Sequence, residues 1–575
     1  MKLFLCTGAA ALLAALPVVV SAVDSSYFPF NNCKCMPGDA CWPSPIAWDI
    51  LNATVGGRLI ATVPVGSPCH DPTYNATECA YLQSQVHNPQ FHMASSSSIM
   101  APFFANQSCD FFTPESQSCL LGNYVDYAVN VTSAEDVQFA VLFAQLSNIR
   151  FVIRNTGHDY NGKSTGAGAL SIWTHYLKDI EFVEWSDPYY KGKAIKMGAG
   201  VQGFEAIEAA AAQGLVQIGG ECPTVGVAGG YTQGGGHSAL STSFGLGADQ
   251  TLSFEVVTAQ GQLVTASRTQ NSDLYWALSG GGGGTYGVVV SMTAKVYPDN
   301  IVGGMTMQFL AADNQLDSFY AGIEAFHSHL TAMVDAGLVV VYYFTNTFFQ
   351  ISPANGYGKT TVQMKTIMAD FESSLKALNI NYTSSYNQSA TYQDHYNTYF
   401  GPLPYGNIQV GIAQYGGRLI PRDTVSKNLT AYSNVVRNIT EAGVTFIGVG
   451  LNVSSPATTH SISNAVLPAW RNTLVHATLT TPWNFTAPWS EMLALQDLMT
   501  EQIMPQIEAV TPNSGAYMNE ADFRQPNFED AFFGSNYAKL LKIKNTWDPS
   551  YFFYAIDSVG STYWNVAENG RMCKA

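Results

Sequence analysis

Positive charge is what this 575-residue chain has least of: 26 lysines and arginines stand against 42 aspartates and glutamates, a formal charge of -16. That balance leaves little basic surface for nucleic acid or an anionic membrane face, both of which are gripped through lysine and arginine. Charge of either sign is sparse, at 12% of residues against 47% hydrophobic ones, which excludes low-complexity disorder over most of the length. Internal repeats are absent, and after the first 22 residues no apolar run approaches a membrane span. What remains is a globular chain long enough for two or three domains, expected as a monomer acting on a small or neutral molecule.

The first residues, MKLFLCTGAAALLAALPVVVSA, combine Lys2, an apolar run and small residues at Ser21 and Ala22. They read as a secretory signal, residues 1–22, cleaved near Ala22; a membrane helix fits less well because the stretch is barely long enough and ends in VSA. Ten N-x-[ST] sequons, at Asn52, Asn75, Asn106, Asn130, Asn381, Asn387, Asn428, Asn438, Asn452 and Asn484, favour a secreted protein carrying N-glycans. Removing Cys6 with the signal leaves nine cysteines. Seven lie between Cys33 and Cys119 and Cys573 ends the chain, so eight can form four disulfides, one tying the tail to the N-terminal region, with Cys222 left over. Zinc at Cys33-x-Cys35 is the alternative, disfavoured by the missing histidine set, and no other metal site is read. The pairing itself is left open.

The texture divides the chain into a Cys-rich region at 23–120, an α/β region at 121–300, a region at 301–505 and a final segment at 506–575. Ser133 caps a predicted helix before strand FVIR, and a strand at 194–201 precedes an alanine-rich helix stopped by Gly214. Residues 219–238 hold eight glycines, which suits close approach of backbone to a flat or anionic ligand. Runs such as LVVVYYF (338–344) and VTFIGVGLNV (444–453) predict a mostly antiparallel sheet covered by helices. The fold class is α+β.

Residues 157–164, GHDYNGKS, fit the phosphate-loop pattern G-x-x-x-x-G-K-[ST] letter for letter. A nucleotide-hydrolase loop opens directly into a helix, whereas here Gly166, Gly168 and a β-type ALSIW run follow. Outside the cell there is also little ATP to bind.

TGHDYNG (156–162), ECPTVGVAGG (221–230), NSDLYWALSGGGGGTYGVVVS (271–291), FGSNYAKLLKIKNTWDP (533–549) and the opening CKCMPGDACWP (33–43), in this order, resemble the secreted fungal branch of the berberine bridge enzyme-like flavoproteins of the vanillyl-alcohol oxidase superfamily. The resemblance covers nearly the whole mature chain. It implies a PCMH-type FAD-binding domain of two α/β subdomains plus a substrate domain, with GHDYNGKS as a nest for the FAD pyrophosphate rather than a hydrolase loop. It further implies FAD attached twice, through His158 to the 8-methyl carbon and through Cys222 to ring carbon 6. The remaining cofactor contacts fall on Asn155, Thr156, Gly157, Asp159, Tyr160, Asn161 and Ser164, then Thr224, Val225, Gly226, Gly229, Gly230, Gly235, Gly236 and His237, then Val289, Asn536 and Tyr537.

The implied reaction is oxidation of an alcohol or similar donor, a base taking the hydroxyl proton while hydride passes to flavin nitrogen 5. Val225 resembles the small gatekeeper of oxygen-reactive members, which favours dioxygen as acceptor and hydrogen peroxide as product. The departure lies at the base. Many relatives carry Tyr-x-Asn-Tyr where this chain has Tyr517-Met518-Asn519-Glu520, so the catalytic roles are placed on Glu520, Tyr517 and Asn519. Glu520 reads as a base tuned by burial, a clamp for a cationic or polyhydroxylated substrate, or a solvated residue outside the site; Tyr517 or His460 is the alternative base. Trp470 and Arg471 in PAWR read as packing. Three functions stay open: a secreted oxidase of sugars or alcohols, a secondary-metabolite tailoring enzyme working on aromatic or terpenoid scaffolds, and a flavin-loaded protein without activity.

Overall fold

A computed structural model describes residues 32–454 and 463–575. The predicted signal at 1–22 and His460 lie outside them. The first sheet contains β1 (Leu59–Ala61), β2 (Tyr127–Asn130), β3 (Arg150–Arg154) and β4 (Ala169–Trp173), in the order β1-β2-β4-β3. Strands β2, β4 and β3 are parallel, and β1 joins antiparallel to β2. A parallel pair needs a crossover, and the helix Ala134–Leu146 supplies it between β2 and β3. Ser133 Oγ caps that helix by accepting from the Asp136 amide, while Asp136 takes the Arg58 guanidinium at 2.6 Å.

Next come β5 (Ile180–Ser186), β6 (Lys191–Gly198), β7 (Leu215–Val216), β8 (Thr251–Val257), β9 (Leu263–Ser267), β10 (Val288–Lys295) and β11 (Tyr297–Pro298). An antiparallel sheet of order β5-β6-β10-β8-β9 forms from five of them, and β7 pairs with β11 as a short ribbon. The helix Gly203–Ala211 precedes β7, and Gly214 turns the chain between them at φ +67°.

The third sheet holds β12 (Val302–Leu310), β13 (Val339–Phe344), β14 (Phe348–Tyr357), β15 (Tyr382–Ser389), β16 (Ala413–Pro421), β17 (Thr445–Gly450) and β18 (Thr473–Pro482). Its order is β15-β12-β14-β13-β17-β18-β16, antiparallel throughout. Alternation along the strands decides which side chains serve which face. Val340, Tyr342 and Phe344 of β13, Phe446 of β17, and Ala477 and Leu479 of β18 enter a core shared with Phe319, Phe326 and Leu330 of the helix Leu316–Asp335 and with Tyr432 of the helix Arg422–Glu441. The intervening Val341, Ile447, Val449 and Thr478 turn the other way and line a cavity.

After Ser514 the chain returns to the second sheet. Ala516, Met518, Phe532 and Phe533, with Leu540 and Ile543 of the helix Tyr537–Trp547, share one core with Phe254, Val256 and Met292. Lys544 on that helix is buried, donating to Asp548 at 2.7 Å and to the carbonyls of Thr285 and Phe553. The chain ends in a hairpin of β19 (Trp564–Val566) and β20 (Met572–Lys574). Disulfides join Cys33–Cys573, Cys35–Cys41, Cys69–Cys79 and Cys109–Cys119, and Cys222 carries a free thiol. Zinc at Cys33-x-Cys35 is thereby excluded, since both sulfurs are spent in bridges. Among the described residues no helix is long and apolar enough to cross a membrane.

Candidate active site

A cavity of about 400 Å³ lies between the second and third sheets. The loop after β3 forms one wall. Asp159 shapes it, its two carboxylate oxygens accepting from the amides of Asn161 at 3.0 Å and Ser164 at 2.8 Å. Gly157 has φ +86°, and a Cβ there would stand 2.7 Å from the Arg154 guanidinium, so only glycine turns the loop at that point. No helix starts at Ser164, which removes the hydrolase geometry that the GHDYNGKS letters suggest.

The glycine-rich stretch forms the facing wall. A Cβ on Gly226 would meet the Asn155 side chain at 2.6 Å, and one on Gly234 would meet that of Asn519 at 2.5 Å. The glycine density thus lets three segments close on one space. Asn161 Nδ2 donates to the Met518 carbonyl at 2.9 Å and Asn519 Nδ2 to the Gly230 carbonyl at 2.8 Å, fixing the YMNE segment against both walls.

His158 and Cys222, 64 positions apart, meet at Thr224. Its hydroxyl lies 2.8 Å from His158 Nε2 and 3.4 Å from Cys222 Sγ. Burial, with His92 and Arg154 nearby, pulls the His158 imidazole down to about 3, so it is neutral at any working pH. Burial pushes the Cys222 thiol up.

Glu520 sits opposite. Its Oε1 is 3.1 Å from His237 Nε2, and its Oε2 is 2.8 Å from His476 Nε2 and 3.0 Å from the Thr478 hydroxyl, which donates to it. Glu221 Oε2 lies 3.1 Å from His237 Nδ1. Burial pushes the Glu520 carboxyl up, but the two imidazoles outweigh it and hold the group well below the usual carboxylate range. The same contest runs in reverse at His237, where burial pulls down and Glu221 and Glu520 hold it well above its ordinary value. At His476 burial wins and the group is lowered. Glu520 stands on the cavity wall with its side chain 27% exposed, and its imidazole contacts outweigh burial in setting its charge. Tyr517 is buried beside this group, accepting from Asn519 Nδ2 at 2.8 Å; burial and Glu520 push its hydroxyl up, so it is protonated and no resting base. Tyr160 and Tyr415 stack 3.7 Å apart and 5° from parallel, joining the β3 loop to β16 across the cavity.

Glu520, Tyr517 and Asn519 all line the cavity, as do His158, Cys222, Asn155, Thr156, Gly157, Asp159, Tyr160, Asn161, Ser164, Val225, Gly226, Gly229, Gly230, His237 and Val289. Five predicted contacts stand elsewhere. Thr224 lies behind the wall, linking His158 to Cys222. Gly235 and Gly236, at φ +127° and +76°, turn the chain that presents His237. Asn536 donates to the carbonyls of Ala465 and Val466, and the Tyr537 hydroxyl accepts from the Gly560 amide, so the final motif buttresses the wall from outside. Trp470 is buried and Arg471 pairs with Asp249 at 2.7 Å, the packing roles expected of them. Sequence reasoning missed Tyr415, Glu221, His476 and Thr478. The polar alternation His476, Thr478, Thr480 in an otherwise apolar strand was the available signal.

The walls fit a large polar cofactor: the amide oxygens of Asn155, Asn161 and Gln233 are buried there without a protein donor. A glycine-lined wall, His158 and Cys222 meeting at Thr224, and a carboxylate across the same cavity make up the site. The FAD binding domain family matches residues 125–267 and the berberine and berberine like family residues 516–560. The FAD-linked oxidoreductase ZEB1 of Gibberella zeae is 55% identical over 561 residues, spanning 97% of this chain and 98% of its own. The VAO-type flavoprotein oxidase VAO615 of Thermothelomyces thermophilus is 42% identical over 95% of this chain and 96% of its own. The crystal structure of MtVAO615 from Myceliophthora thermophila C1 matches at 42% identity with a TM-score of 0.91, over 94% of this chain and 100% of that one. The chain therefore belongs to the berberine bridge enzyme-like, VAO-type FAD-linked oxidoreductases.

Proposed function

We propose that this protein is an extracellular oxidase of alcohol-type donors that carries FAD on both His158 and Cys222 and passes electrons to dioxygen. The observation that carries the reading is the Glu520 carboxylate, held ionised by two imidazoles on the cavity wall. An ionised carboxylate accepts a hydroxyl proton, and sharing that proton with His476 makes the array, rather than the free acid, the effective base. FAD, when bound, supplies the two-electron acceptor. Asn155, Asn161 and the loop from Gly157 to Ser164 would hold its polar end, and neutral His158 and unpaired Cys222 its ring.

Double attachment is supported by the Thr224 hydroxyl, which brings His158 and Cys222 together, and by the disulfide pairing that leaves Cys222 over. Val225 on the wall supports dioxygen access. The sequons and four disulfides support export. Val341, Ile447 and Val449, with the stacked Tyr160–Tyr415 pair, make the donor side of the cavity apolar and aromatic. That lining favours a donor with an aromatic or hydrocarbon body, as a tailoring substrate has, over an oligosaccharide.

The experiment is an anaerobic screen of aromatic alcohols, terpenoid alcohols and sugars, following loss of flavin absorbance, with peroxide measured once air is admitted. Bleaching by apolar alcohols and peroxide release are expected. Faster bleaching by sugars would reverse the donor preference, and bleaching by none would leave an inactive flavin carrier.

A further inference from the structure

Three donor atoms from separate parts of the chain converge at the cavity: Nε2 of His237, Nε2 of His476 and the Glu520 carboxylate, all within 4.8 Å of one another. We propose that they form a binding site for a divalent transition-metal ion of the zinc or copper class, and that an ion bound there blocks donor oxidation. The inhibitory half rests on the role given to Glu520; the binding half does not.

The donor set is two imidazoles and a carboxylate, the combination found at open zinc sites with three protein ligands. Metal–ligand bonds of about 2.0–2.2 Å put neighbouring donors about 3.4 Å apart in a tetrahedral zinc site. Here the imidazole nitrogens lie 3.1 Å (His237) and 2.8 Å (His476) from different Glu520 oxygens, at hydrogen-bond distance and a few tenths of an ångström inside that spacing. An ion would take the place of these two hydrogen bonds, the donors drawing apart to its coordination spacing.

The surroundings also have the form of a supported ligand set. Glu221 Oε2 is 3.1 Å from Nδ1 of His237, out of line for a hydrogen bond but on the side from which a carboxylate supports a ligating imidazole. The Thr478 hydroxyl, 3.0 Å from Glu520 Oε2, steadies the carboxylate. Glu221 and Glu520 place two carboxylate side chains beside the two imidazoles, the donor chemistry that suits a divalent ion. Glu520 and His237 line the cavity while His476 is fully buried behind them. An ion can thus enter from the cavity side, where its remaining coordination positions would face the donor.

The test uses the purified holoprotein, treated with chelator, exchanged into metal-free buffer and dialysed against zinc sulfate, with bound zinc counted by mass spectrometry. One zinc per chain is expected, absent in His237→Asn and His476→Asn, and weakened roughly tenfold in Glu221→Gln through loss of ring support. An unchanged visible flavin spectrum certifies that each variant is folded. Zinc should also slow anaerobic flavin reduction, with relief by excess donor. No retained zinc, or retention that both histidine variants leave untouched, overturns the site. Zinc held by the histidines without any slowing keeps the site and refutes its blocking role. A protein that oxidises no donor yet binds zinc through these histidines fails the functional reading alone.

Discussion

Thr224 holds its hydroxyl 2.8 Å from Nε2 of His158 and 3.4 Å from the Cys222 sulfur, so one side chain brings together the two residues proposed to carry the flavin. Acid-precipitated protein should therefore stay yellow. His158→Ala and Cys222→Ala should each retain flavin in the pellet, and only the double variant should release it. Free flavin in the supernatant of the unmodified protein would end the double-attachment reading.

Glu520→Gln keeps the shape but cannot take up a hydroxyl proton. Flavin reduction at saturating donor should slow by at least about a hundredfold, the usual worth of a positioned base. Stopped-flow absorbance checks this, and an unchanged rate removes Glu520 from the chemistry.

Burial raises the Asp557 carboxyl from 3.8 to about 7, although Lys163 pulls it down. The folded chain then keeps a proton that the unfolded chain releases, so this group favours folding at low pH and the benefit is lost as pH rises from about 3.8 to about 7. Asp557→Asn replaces the carboxyl with an uncharged amide of the same shape, and asparagine tolerates the left-handed backbone at φ +51°. Its melting temperature should exceed that of the parent at pH 8 and the difference should shrink towards pH 4. A gain that grows on acidification contradicts this.

Asp548 accepts from Lys544 and from the amides of Phe552 and Phe553, with neither charged side chain reaching solvent. Asp548→Ala strands a buried ammonium and should cost about 3–5 kcal/mol. Thermal unfolding of the purified variant measures it.

Not every sequon is open to a transferase. Asn130 closes strand β2, paired to β4, and its side-chain oxygen is buried, whereas Asn75, Asn381 and Asn484 are exposed. Peptide mapping of secreted protein should find glycans at the last three and none at Asn130.

Much of this was legible in the chain. The glycine stretch, the leftover Cys222 and the FVIR and ALSIW strands follow from local chemistry, because backbone approach, sulfur parity and strand composition are written residue by residue. The state of Glu520 was not. A lone glutamate at the end of YMNE carries no sign of which imidazoles will face it, and His237 and His476 reach it from 283 and 44 positions away. Asn536 and Tyr537 show the opposite limit: a motif belonging to a family can mark a buttress as readily as a contact.

The Cys33–Cys573 bridge spans 540 positions and makes almost the whole folded chain one covalent ring. A protease that cuts an exposed loop between those cysteines therefore yields no free fragment until the disulfide is reduced. A pull applied to the two ends would load the sulfur bond before any sheet.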